Sequence, residues 1–230
     1  MPGGTASHHH GPFPMARNYI DAYCERVGPE IWGEPLNAVT NLAFIVSAAV
    51  LASALARGER PVRRDWGCWG LTVLVFLIGI GSGLFHTLAV GWTAAADVIP
   101  IALFILLATF LALTRLVGLG LWASLLGIFA VLGLAVGISA LLRFGGGSYL
   151  AALVAMLSIG LYLRFRKHHP AGSPLLTATG VFTISLTLRT LDHPLCETIP
   201  TGTHFLWHML NAVVLYLVAR TIMKHGRLSD

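Results

Sequence analysis

The chain has 230 residues, of which 56% are hydrophobic and only 11% charged, and its mean hydropathy is +0.76. Ordinary soluble domains carry roughly 25% charged residues, so the composition excludes a soluble globular domain: this much apolar surface has to face lipid. The net charge of +5 does not indicate a nucleic-acid partner, because the basic residues fall at the ends of apolar runs, where membrane topology accounts for them.

In chain order, residues 1–16 hold Gly, Pro, Ser and the run His8-His9-His10 and read as a flexible N-terminal tail. The N-terminus has no charged n-region followed by an apolar h-region, so the expectation is no cleavable signal peptide, with the first span serving as the insertion signal. Residues 17–36 are mixed polar and aromatic and are expected to form an interfacial segment. Seven apolar runs of transmembrane length follow, over about 37–56, 66–88, 95–114, 119–142, 148–164, 173–191 and 203–222. The fold class expected is therefore all-α: an integral membrane bundle of seven transmembrane helices filling a single domain, 17–222, with a tail at 223–230.

The basic residues orient this bundle. With seven spans, Arg57, Arg60, Arg63, Arg64, Arg115, Arg164, Arg166, Lys167, Arg220, Lys224 and Arg227 share one side. The other side holds Arg17, Arg26, Arg143 and Arg189. The positive-inside rule then places the N-terminus outside and the C-terminus in the cytoplasm.

Ionisable groups inside a span are costly and point to function. His86 ends an outward-running span, Asp97 begins the next, and His204 and His208 lie in the first turns of the last. All four therefore sit at one depth, in the outer half of the membrane. His204 and His208 are four residues apart, on one helix face, which is the spacing of a two-histidine metal clamp. With His86 they form a three-imidazole set, the usual protein share of a catalytic zinc site that keeps one position open. Ser82 is one turn before His86, and Asp97 is placed to orient a ligand or a water molecule. Two other readings stay open: interhelical hydrogen bonding and a proton relay.

Asp21, Glu25, Glu30, Glu34, Asn37 and Asn41 form a second polar set before and within the first span. Carboxylates grouped with amide oxygens suit a hard cation such as calcium; an interfacial acidic loop with helix-capping residues is the alternative. Cys24 and Cys196 both fall on the outer, oxidising side, where a disulfide is permitted, whereas Cys68 lies near the cytoplasmic end of its span. Gly79, Gly81 and Gly83 suit close helix packing, or room for a metal.

Three blocks carry a family resemblance: Tyr23-Cys24-Glu25 with Trp32-Gly33-Glu34-Pro35-Leu36-Asn37-Ala38-Val39-Thr40-Asn41; Gly81-Ser82-Gly83-Leu84-Phe85-His86 with Asp97-Val98-Ile99-Pro100; and Asp192, Cys196-Glu197 and His204-Phe205-Leu206-Trp207-His208. In these blocks, their order and their span placement, the chain resembles the alkaline ceramidase family, within a wider superfamily of seven-span metal hydrolases, and looks like a compact bacterial member. The resemblance implies zinc on His86, His204 and His208, with Ser82 and Asp97 as catalytic partners. It implies hydrolysis of the amide bond of ceramide, or of a related N-acyl lipid, by metal-activated water, releasing a fatty acid and an amine lipid. It also implies pairing of Cys24 with Cys196, and calcium on Asp21, Glu25 and Glu34; Val27 stands where the family has asparagine, and the stretch from Cys24 to Glu34 is short. The partner expected is a membrane lipid, with neither nucleic acid nor an obligate protein partner, and the location expected is a bacterial inner membrane with the site toward the periplasm.

Two other function classes compete. One is a non-catalytic seven-span receptor or sensor braced by a structural zinc, which would normally add a fourth protein ligand; Asp97 is the candidate. The other is a metal or proton transporter, against which counts the lack of carboxylates and histidines in the cytoplasmic halves of the second, third and last spans.

Overall fold

A computed structural model describes residues 19–142 and 147–226. The expected N-terminal tail 1–16, Arg17, Arg143 and the end of the C-terminal tail, with Arg227, lie outside the described residues.

The described residues are all helical apart from turns and loops. Helix α1 (Pro35–Ala56) opens with Pro35 in its first turn, where the missing N–H removes a donor that would lack a partner anyway. It is interrupted at Asn41, between Thr40 and Leu42. Helix α2 (Trp66–Leu88) is capped by Asp65, whose carboxylate accepts from the Cys68 amide at 3.0 Å. Helix α3 (Gly91–Val117) has Pro100 in its interior and finishes in a π-helical stretch, Ala112–Val117. Helices α4 (Leu121–Leu142), α5 (Gly147–Arg166), α6 (Gly172–Leu191) and α7 (His204–His225) complete the order.

Six of these helices are long and apolar enough to cross a membrane: α1, α2, α3, α4, α5 and α7. They make the chain a multi-pass membrane protein in type. Helix α6 has comparable length but no stretch as apolar, with Thr177, Thr179, Thr183, Thr187, Thr190, Ser173 and Ser185 along it. Its threonine hydroxyls at 177, 179, 183, 187 and 190 each donate to the carbonyl four residues back, so these groups are satisfied within the helix. Helix α6 packs between α5 and α7. The two best-buried long helices are α2 and α7, and these carry the three site histidines. By contrast α4 is almost wholly exposed, as a lipid-facing helix should be.

The core runs through the bundle as one cluster that includes Phe44, Leu51, Leu71, Val75, Phe104 and Ile222. At one end, residues 19–34 fold back over the helices instead of lying along their rim. Arg26 and Glu34, expected in an interfacial segment, are buried there. Burial of both charges is sustainable because they meet each other.

Candidate metal centre

His86 is in the last turn of α2, and His204 and His208 are in the first two turns of α7; all three are buried. Their ring centroids are 4.6 to 5.2 Å apart. Each offers a donor nitrogen, and the three lie within 4.8 Å of one another, the group among the described residues that could hold a metal ion. His86 Nε2, His204 Nδ1 and His208 Nε2 are buried without any hydrogen-bond partner. A buried polar atom without a partner costs about 1–3 kcal/mol, and three converging imidazole nitrogens fit an N-ligated cation.

The opposite edges of two rings are held. His86 Nδ1 is 2.5 Å from Glu34 Oε2, and a carboxylate there makes that nitrogen the donor, leaving the Nε2 lone pair free. His208 Nδ1 is 3.0 Å from Thr40 Oγ1. The Thr40 hydroxyl already donates toward the carbonyls of Leu36 and Asn37 at 2.8 and 3.1 Å, so it accepts from His208, and again Nε2 is free. Such partners set the tautomer and aim the ring. His204 is held by its backbone and one face: its amide donates to Asp192 Oδ1 at 2.8 Å, and Tyr23 stacks on its ring with centroids 3.6 Å apart.

The acidic set divides its work differently from a calcium site. Glu25 accepts from the amides of Leu36 and Asn37 at 2.6 and 2.8 Å, capping α1 from outside. Glu34 accepts from Arg26 Nε at 2.5 Å and from Asn37 Nδ2 at 3.0 Å. Burial favours the neutral form of Glu34, but His86, Arg26 and Asn37 together outweigh it and hold the carboxyl below its ordinary range. Asp21 is exposed. The structure thus does not gather Asp21, Glu25 and Glu34 around one point; the guanidinium of Arg26, which also donates to the His86 carbonyl at 2.9 Å, supplies the positive charge among them.

Cys24 and Cys196 are at bonding distance, with Cα atoms 5.1 Å apart. They tie the strap that carries Tyr23, Arg26 and Glu34 to the loop before α7. Asp192, named in the sequence only as part of a block, joins the two: it accepts from the amides of Cys24, Thr203 and His204 at 3.1, 2.6 and 2.8 Å, and so caps α7. Gly202, at φ +62°, turns the chain beside it, where a Cβ would strike Asp192 Oδ1.

Ser82 is buried one turn below His86 and lies beside the Asp97 carboxylate, which is partly buried on α3. Asp97 is not among the atoms of the three-histidine group. Helices α2 and α3 approach closely here, because a Cβ on Gly81 would strike the carbonyl of Ala96. That carbonyl is the one that an N–H at position 100 would have bonded; Pro100 has none, and the absence of a side chain at Gly81 lets the two backbones meet there.

An apolar pocket of about 80 Å³, partly open to the outside, lies between α3, α5, α6 and α7. Ile101, Phe104, Phe182 and Val218 are in its walls, with Asn211, one turn beyond His208, and Tyr149. Sequence reading did not find Arg26, Thr40 or Tyr23 as site residues. A threonine in a membrane helix bonds its own backbone as a rule, and nothing local marks one as a histidine's partner.

No protein-family model and no curated protein matches the chain.

Proposed function

We propose that the protein is a zinc-dependent intramembrane hydrolase that cleaves the amide bond of an N-acyl lipid, giving a fatty acid and an amine lipid, as the resemblance to the alkaline ceramidases implies. The observation that carries this reading is the set of three buried imidazole nitrogens without protein partners, to which no carboxylate among the described residues adds a fourth ligand. A brace would close its coordination; an open position suits chemistry. Ser82 and Asp97 beside the histidines, and an apolar, partly open pocket below them, favour it further.

His86, His204 and His208 would hold the ion, which when bound polarises a carbonyl and makes a water acidic near neutral pH. Glu34 and Thr40 keep the Nδ1 atoms of His86 and His208 protonated and their Nε2 atoms bare. The Ser82 hydroxyl donates a hydrogen bond to the oxygen that gains charge as the amide carbon is attacked. Asp97 accepts the proton released by the attacking water and returns it to the leaving nitrogen. The acyl chain enters the apolar pocket below from between the helices, so that the amide is presented at its outer end.

In this reading α6 is a span as well: a 20-residue helix is about 30 Å long, matching the hydrocarbon core. Seven spans put the N-terminus and the site outside and the basic loops in the cytoplasm, in a bacterial inner membrane with the site facing the periplasm, where the Cys24–Cys196 pair is in keeping with an oxidising compartment.

The test is zinc content of the purified protein together with release of fatty acid from a panel of N-acyl lipids, ceramide included. The wild type is expected to hold one zinc and to turn over at least one of them. His208→Ala loses the metal and the activity. Ser82→Ala keeps the metal and lowers kcat by about 10²–10³-fold. Stoichiometric zinc with no turnover of any lipid in the panel would replace the hydrolase by a braced receptor.

A further inference from the structure

Arg189 is a charge in the last turn of α6 that neither the fold nor the proposed chemistry uses. A cation at the end of a membrane helix ordinarily extends to the phosphates at the surface. Arg189 instead lies inward and partly buried. Its guanidinium carbon is 5.0 Å from the ring centroid of Tyr149 and 5.6 Å from that of Trp207, and these two buried rings meet edge to face with centroids 5.1 Å apart. Among the described residues it has no carboxylate partner, whereas Arg26, the other arginine at the site, is matched by Glu34. Two aromatic faces, and no carboxylate at ion-pair distance, therefore receive its charge.

Its position relates the cavity to the metal centre. Tyr149 is at once a wall of the cavity and the ring beneath the guanidinium. Trp207 lies between His204 and His208 in sequence, on the same two turns of α7. A lipid whose tail enters the pocket past Tyr149 thus brings its polar end toward a planar cation laid on two aromatic faces, with the histidine-bearing turns of α7 alongside. A guanidinium presents parallel N–H donors that match a carboxylate in two-point contact.

We infer that Arg189 is a specificity residue that binds a carboxylate on the substrate's headgroup, so that the preferred substrate is an N-acyl amino acid carrying its own acid group and not a neutral N-acyl alcohol. The inference rests on the hydrolase reading for its word substrate, but the anion site is tested apart from turnover. A free fatty acid, the other product of the same reaction, offers the same carboxylate and is the competing source.

Binding of N-oleoylglycine, of oleate and of neutral N-oleoylethanolamine, all of one chain length, is followed on the zinc-loaded protein in detergent by quenching of tryptophan fluorescence. Turnover of the two amides is measured in parallel. The wild type is expected to bind N-oleoylglycine roughly tenfold or more tighter than N-oleoylethanolamine. In Arg189→Gln that ratio falls to near one, with binding of the neutral amide unchanged; Arg189→Lys keeps part of the preference because it keeps the charge and loses the two-point contact. If both amides are turned over, the change in Arg189→Gln falls on KM for the acidic one. Equal binding of the two amides by the wild type, or an unchanged ratio in Arg189→Gln, overturns the inference. So does a loss confined to oleate, which assigns the guanidinium to the product. Absence of turnover with the binding preference intact counts against the hydrolase and leaves the carboxylate site standing.

Discussion

Two of the three histidines owe their free nitrogen to a neighbour on the far edge of the ring: Glu34 for His86 and Thr40 for His208. Thr40→Val keeps the shape of the side chain and removes the acceptor, so His208 is no longer fixed in one tautomer. Zinc affinity is expected to fall by roughly 10–100-fold, read by competition with a chromophoric chelator, with helix content unchanged by circular dichroism. Glu34→Gln acts on His86 in the same direction and also leaves the buried Arg26 without its countercharge. Loss of one partner of a buried pair costs about 3–5 kcal/mol, so this variant is expected to lose thermal stability too, and Thr40→Val is the cleaner probe. An affinity unchanged in both would detach these residues from the site.

Between elements, the closest meeting is α2 against α3 at Gly81 and Ala96. Gly81→Ala drives a methyl group into a backbone carbonyl that cannot turn away as a side chain could. Overpacking of this kind costs about 1–3 kcal/mol, and here it also pushes Ser82 away from Asp97. Gly83→Ala is the control, since its Cβ would have no neighbour nearer than Asn41 Cβ at 4.0 Å. Melting temperatures of the two variants should diverge, with Gly83→Ala at or above wild type; equal values would mean the approach is not tight. At the opposite end of α2, Asp65 caps the helix and meets Arg115 of α3 at 2.6 Å. Burial alone would raise the Asp65 pKa, but the hydrogen bonds from Arg115 and Cys68, with the charge of Arg115, hold it below its ordinary value. A depressed folded pKa stabilises above the unfolded value, near 3.9, and the contribution disappears as pH falls through the folded one. Asp65→Asn retains a cap and removes the charge. It should lower stability at pH 7 by about 1 kcal/mol, with the gap to wild type closing below about pH 4; a gap independent of pH would assign the effect to the cap.

For the whole molecule, the proposed seven spans make a topology that can be counted. Alkaline phosphatase, active only outside the cytoplasm, is expected to be silent when fused after α7 and active when placed at the N-terminus; a fluorescent protein that matures only in the cytoplasm gives the converse. A C-terminal fusion with high phosphatase activity would remove one span, and α6, the long helix whose most apolar stretch falls short of a span, is where it would be lost. That outcome would put His204 and His208 on the other side from His86, in conflict with the cluster the bundle forms.

Much of this was legible in the chain itself. Long apolar runs specify helices because, without water, backbone groups must bond within the helix, and the observed helices begin and end within a few residues of the runs. His86, His204 and His208 were legible for a related reason, since ionisable groups stand out where every neighbour is apolar, and a spacing of four places two on one face. The disulfide pair was permitted by the expected topology and implied by the family resemblance. What only tertiary structure decided is what each polar group does once it has company. Asp21, Glu25 and Glu34 looked alike as an acidic set, yet one is exposed, one caps α1 and one orients His86 against Arg26. Thr40 and Tyr23 carry no local mark, and Arg189 reads only as a topology signal. Their partners are far away in sequence, His208 lying 168 residues from Thr40, and hydrogen bonding and stacking depend on ångström distances that hydropathy does not encode. Apolar pattern is a property of a segment and survives being read one residue at a time; a site is a property of contacts, and exists only when the segments meet.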